Sequence, residues 1–353
     1  MKKRNKLSTA LLLGLALPAM SQASLLFDPD GTTATLTPVT ITNFDWSPDS
    51  VLADGGNQAI VNYLNNQIDG GARSTEFELY AHATLQAGTN GSDSTLTPNA
   101  PATQMVGTTL ALTEAEYTAV VGFTESISSV VLGTGSNTAT ASFDYVNDGN
   151  SFFAMFYDTS ANSDKLTGTG YTDGTRIFEG GVVSTAGGAF TVDPADGTTA
   201  LFDQAGGDGD QWGGQETVTG SGAQETITLH VDTSAGTYID RNFFINELIE
   251  ALIVNIDLSV PFEGDNNPSM AFSSSPTVNG DVIPNLGSVN GGIGFDAVTG
   301  LYTLGEGGPD FEFSTDNNSV WRAVNVPEPG MLALMGFGLG LLSFVSSRRK
   351  SSL

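Results

Sequence analysis

The chain has 353 residues, with 39 Asp or Glu against 12 Lys or Arg and a formal net charge of −27. Seven of the basic residues sit at the two ends, leaving Arg73, Lys165, Arg176, Arg241 and Arg322 among the acids between Ser24 and Ser347; such a surface repels phosphate backbones and excludes nucleic acid as a partner. There is no cysteine, which removes disulfides, thiolate catalysis and thiolate metal sites.

In chain order, the first element is "MKKRNKLSTALLLGLALPAMSQA", residues 1–23. It has a basic start, an apolar run from Ala10 to Leu17, then Pro18 and small residues at Ser21 and Ala23. That is the anatomy of a secretory signal peptide, with cleavage expected between Ala23 and Ser24. The apolar run is too short for an uncleaved anchor helix.

Residues 24–325 form a β-rich body in which short alternating segments are separated by Gly, Asn, Asp and Pro. "NQAIVNYLNNQI" (Asn57 to Ile68) predicts a short helix. "TEFELYAHATLQ" (Thr75 to Gln86), "SFFAMFYD" (Ser151 to Asp158), "ETITLHVD" (Glu225 to Asp232), "LIVNIDLSV" (Leu252 to Val260) and "GPDFEFSTD" (Gly308 to Asp316) predict strands. Both periods fit "DRNFFINELIEAL" (Asp240 to Leu252), which stays open between helix and strand. The expected fold is all-β, a β-sandwich or jelly roll with one or two short helices. It is one domain, or two with a soft boundary in the Gly-rich stretch near 206–222.

Candidate chemistry in the body is sparse. The two histidines, His82 and His230, alternate with apolar neighbours and read as strand-surface residues; no Gly-x-Ser-x-Gly elbow accompanies them. Glycosidase chemistry needs two facing carboxylates, and with 39 acids the sequence nominates no pair. Ca²⁺ is the cofactor that "DQAGGDGDQWGG" would suit, through Asp203, Asp208 and Asp210 in a Gly-rich loop, against the plainer reading of an acidic turn. Trp46, Trp212 and Trp321 stand beside polar residues, where sugar stacking competes with the commoner fate of a buried core tryptophan.

The chain closes with "VPEPGMLALMGFGLGLLSFVSSRRK". Gly330 to Val345 carries no charge, and 16 helical residues would reach about 24 Å, a little short of the roughly 30 Å hydrocarbon core. Arg348, Arg349 and Lys350 would hold the C-terminus on the cytoplasmic side of a membrane helix at 330–345. Pro327 and Pro329 keep the backbone around Glu328 extended. Residues 326–353 thus resemble the PEP-CTERM sorting signal of Gram-negative bacteria, carried by Pro327, Glu328, Pro329, the apolar run and Arg348, Arg349 and Lys350. The resemblance implies an exosortase-type transpeptidase as partner, a transient or stable C-terminal membrane anchor, and delivery to the outer cell surface or extracellular matrix.

A second resemblance rests on "LYAHATLQA", "NPSMAFSSSP", "VIPNLGSVNG" and "GPDFEFSTDNNSVW". These elements are similar to those of flocculation-associated PEP-CTERM proteins, although here "GIGFDAVTGLYTLGEG" separates the last two. The resemblance implies a non-enzymatic matrix protein that acts with exopolysaccharide in biofilm or flocs, with no catalytic residues. The alternative is a carbohydrate-binding or polysaccharide-active protein on the same β scaffold.

Overall fold

A computed structural model describes residues 25–32, 38–90, 93–97, 110–111, 115–132, 139–164, 168–186, 189–192, 220–223, 225–232, 238–245, 249–259, 293–304 and 309–325. The elements are β1 (Leu25–Phe27), β2 (Val39–Ile41), β3 (Asn43–Asp54), α1 (Gly56–Asp69), β4 (Glu76–Asn90), β5 (Asp93–Thr97), β6 (Leu110–Ala111), β7 (Glu116–Val131), β8 (Ala139–Val146) and β9 (Phe152–Asp158). There follow β10 (Thr175–Ala186), β11 (Ala189–Val192), β12 (Gly220–Ala223), β13 (Glu225–Asp232), β14 (Tyr238–Ile239), β15 (Ile249–Ser259), β16 (Ile293–Asp296), β17 (Leu301–Leu304) and β18 (Phe311–Asn325).

The pairings close a ring. The order β4-β7-β9-β10-β13-β15-β18-β3 returns to β4, and every neighbouring pair in it is antiparallel. Eight is an even number, as closure with alternating strand directions requires, and eight strands enclose a space that side chains can fill. A sandwich keeps two sheets apart, whereas this one curls until β7 meets β4. The all-β expectation therefore stands in a curled, closed form. Strands β8, β11 and β12 branch from the C-terminal half of β7, because β8 and β9 lie end to end along the same edge of it. On either side of the Gly-rich stretch near 206–222, β10 and β13 pair directly.

The filling is aromatic and aliphatic. One face of β4 supplies Leu79, Ala81, Ala83 and Leu85, β7 supplies Tyr117, Ala119 and Phe123, and β9 supplies Phe153 and Met155, all buried in one cluster with Phe44, Trp46, Phe178 and Trp321. The alternate residues Tyr80, Val120, Phe152, Ala154 and Phe156 are buried on the other face with Leu52 and Tyr171. Burial on both faces explains why "SFFAMFYD" is a continuous apolar run. At one end, the hairpin β1–β2 and the turn at 240–244 insert Leu25, Phe27, Phe243 and Phe244 into the core, with Phe27 bridged to Phe244.

At the other end α1 spans from the end of β3 to the start of β4. Ala59, Ile60, Val61 and Leu64 give it one apolar stripe, buried against Phe77, Ile127 and Ile293. Gly70, at φ 70°, stops it by donating its N–H to the Asn66 carbonyl at 3.0 Å. Within residues 240–252, open from sequence, 240–244 form a turn and 249–252 belong to β15. Asp240 forces the turn by accepting the Phe243 and Phe244 N–H groups on its carbonyl and the Asn242 N–H on its side chain. Among the described residues α1 is the one helix, and none is long and apolar enough to cross a membrane. The 330–345 segment lies outside them.

Candidate functional site

The sites expected from sequence fall outside the described residues: Ala23 and Ser24, Asp203, Asp208 and Asp210, and Pro327, Glu328, Pro329, Arg348, Arg349 and Lys350. Among the described residues no group of three or more His, Asp or Glu side chains is arranged to hold a metal. The structure does show what the body's polar side chains do, and how the barrel meets the two expected processing points.

Among the described residues the most perturbed carboxyl is Asp54, at the end of β3. Burial, then the charge and hydrogen bond of Asp310, then the charge of Glu78, push it up to about 6. A perturbed carboxyl pair invites an acid–base reading. Here, though, the pair has a structural job. Gly55, at the N-cap of α1, has φ 77° and no side chain to offer the helix. The Asp310 carboxylate accepts the Gly55 N–H at 2.9 Å, its carbonyl accepts the Asn57 side-chain amide at 2.9 Å, and the Pro309 carbonyl accepts the Gln58 N–H at 3.2 Å. The Gly-Pro-Asp-Phe element thus caps a helix more than 250 residues earlier, where the dipole favours a negative charge. Sequence reading missed this role because cap and helix are so distant along the chain.

Glu116 at the start of β7 is likewise consumed. Only 2 % exposed, it accepts the N–H groups of Asn162 and Ser163 at 2.8 and 2.9 Å and the Ser163 hydroxyl at 2.6 Å. The Ser163 hydroxyl also meets that of Thr84 at 2.9 Å. This network pins the chain after β9 across the outer face of β4 and β7. Further along, Tyr171 accepts the Thr118 hydroxyl on its carbonyl at 2.7 Å and stacks its ring on His82, centroids 3.9 Å apart. His82 is thereby buried at 4 % exposure, which corrects the strand-surface expectation. His230 lies on β13 opposite Gly181 and Ile253.

Two of the three tryptophans belong to the core. Trp46 and Trp321 are 2 % and 1 % exposed, and both indole N–H groups donate to the Ser319 hydroxyl at 2.8 Å. Ser319 in turn donates to the Phe44 carbonyl at 3.4 Å. Trp321 packs edge-on to Phe178 at 5.0 Å and Phe44 at 5.1 Å, and stacks on Phe244 at 5.8 Å. Trp212 is outside the described residues.

The described residues nearest in sequence to both expected junctions belong to this core or to its last strand. β1 begins at Leu25, fully buried, one residue after Ser24. β18 runs from the helix cap at Asp310, through Ser319 and Trp321, to Asn325, two residues before Pro327. The last strand of the closed barrel therefore ends, along the sequence, where the C-terminal segment begins. Residues 325–350 match the PEP-CTERM protein-sorting motif; the match indicates an exosortase-sorted, exported protein and implies sorting to the cell surface of a Gram-negative bacterium. No curated protein and no solved structure matches the chain.

Proposed function

We propose that the sorted body is a non-enzymatic protein of the cell surface or extracellular matrix that contributes to biofilm, floc or exopolysaccharide-matrix structure. The observation that carries this reading is the barrel interior. Where barrels that bind small ligands keep a cavity, this one packs Trp321, Phe44, Phe153, Phe178 and Phe244 with ring centroids 5.0–6.2 Å apart. Asp310 and Glu116 are also committed to backbone N–H groups.

A specific observation favours the second reading, carbohydrate binding. Within the segment that interrupts the flocculation-type pattern, residues 293–304 form the hairpin β16–β17, seated on α1 where the Asn65 side-chain amide pairs with both backbone groups of Tyr302 at 2.9 and 2.7 Å. It leaves Phe295 54 % exposed, edge-on to Tyr302 at 5.1 Å. Such an aromatic surface can lie against a sugar ring.

The test is a deletion strain, complemented with the wild-type gene or with Phe295→Ala, scored for settling of cell aggregates and for reducing ends released from its own exopolysaccharide. The matrix reading expects aggregation to be lost on deletion, restored by both genes, and no reducing ends to appear. Failure of Phe295→Ala alone to restore it selects carbohydrate binding. Reducing-end release that depends on the gene overturns the non-enzymatic reading.

A further inference from the structure

The last barrel strand is not held equally along its length. From Phe311 to Val320, β18 is paired to β3, and from Asp316 onward also to β15. Beyond Trp321, whose N–H donates to the Thr42 carbonyl at 2.8 Å, the β3 ladder has ended. Among the described residues the ladder partners of 322–325 all lie in β15, and that ladder slips by one residue between Ile249 and Ala251, opposite Asn325 and Val324. Bulges of this kind interrupt a ladder and leave it locally weaker.

The residues that match the sorting motif begin at Asn325, the last of this stretch. From Asn325 to Pro327 the chain can extend by about 7 Å at 3.3–3.6 Å per residue. That is too short for an enzyme to enclose an extended peptide at Pro327-Glu328-Pro329 while the barrel end stays folded against it. Releasing Arg322 to Asn325 from β15 lengthens the free segment, measured from Trp321, to about 20 Å. The buried Trp321, held by Ser319, Phe44, Phe178 and Phe244, sets the limit of that release.

We propose that the segment engaged by the sorting transpeptidase extends upstream of the matched motif into the barrel. In this view Arg322, Ala323, Val324 and Asn325 unpair from β15 to present Pro327-Glu328-Pro329, and Trp321 keeps the rest of the barrel closed. Local opening of a strand end needs far less free energy than global unfolding.

The experiment uses the full-length precursor in its own host, as the double variant Ile249→Cys with Asn325→Cys. These residues are ladder partners, and antiparallel partners lie within the Cα separation a disulfide spans. The chain has no other cysteine to compete. Precursor and cut product are followed by pulse-chase, with disulfide formation checked on a non-reducing gel and wild-type cutting in the same strain as reference. The expected result is accumulation of uncut precursor in the disulfide-bonded variant. Cutting is recovered either by reductant or by inserting Gly-Ser-Gly-Ser after Asn325. Wild-type cutting of the disulfide-bonded form overturns the proposal, and so does a block that neither reductant nor insertion relieves.

Discussion

Trp46 and Trp321 donate their indole N–H groups to one shared acceptor, the Ser319 hydroxyl, each at 2.8 Å and with all three side chains buried. One hydroxyl has two acceptor positions and one donor, and here all are used. Ser319→Ala leaves two buried donors without a partner, at a cost of about 1–3 kcal/mol each. We expect a lowered urea midpoint with an unchanged slope. Trp321→Ala, which empties the centre of the aromatic cluster, should cost about 3–5 kcal/mol.

Asp310 is the cap that α1 lacks in its own sequence. Asp310→Ala removes the acceptor from the Gly55 N–H and should cost about 0.5–2 kcal/mol at neutral pH. Exchange of the first-turn amides of α1 should quicken, while those of β7 and β9 keep pace with global unfolding.

The Asp54–Asp310 pair gives the protein a pH dependence with a definite sign. Asp54 is raised from 3.8 in a free chain to about 6 in the fold, so the folded state holds the proton more tightly. Its contribution is greatest below pH 4 and is lost as pH rises through about 6. Asp28, buried in the plug at the opposite end and raised chiefly by burial, acts in the same direction. Asp54→Asn should flatten the fall in melting temperature between pH 4 and 6 and raise the melting temperature at pH 8. A steeper fall in that variant contradicts the assignment.

Glu116 holds the chain after β9 in place through two N–H groups and one hydroxyl. In Glu116→Ala these groups lose their acceptor, so limited proteolysis should find a new site near residues 159–164 before the barrel unfolds. Wild-type protein should resist cleavage there under the same conditions.

The sequence made individual elements legible and left their closure hidden. Asn57 to Ile68 shows its helix through the spacing of Ala59, Ile60 and Leu64, and Phe152 to Asp158 shows a strand buried on both faces. Alternation looks the same in a sandwich and in a barrel, and what distinguishes them is the β4–β7 and β18–β3 pairing across long stretches of chain. His82 reads as a surface residue because the ring that covers it, Tyr171, lies on a distant turn. The address was fully legible, because Pro327-Glu328-Pro329, the apolar run and Arg348 to Lys350 are contiguous and need no fold to bring them together.

The most direct test of the account is the intact mass of the protein recovered from the culture medium and the cell envelope, with Pro327-Glu328-Pro329 native or replaced. The expected native product begins at Ser24 and ends near the motif, and its C-terminal cut is lost when the motif is replaced. A full-length tail retained in the membrane of both strains would contradict it.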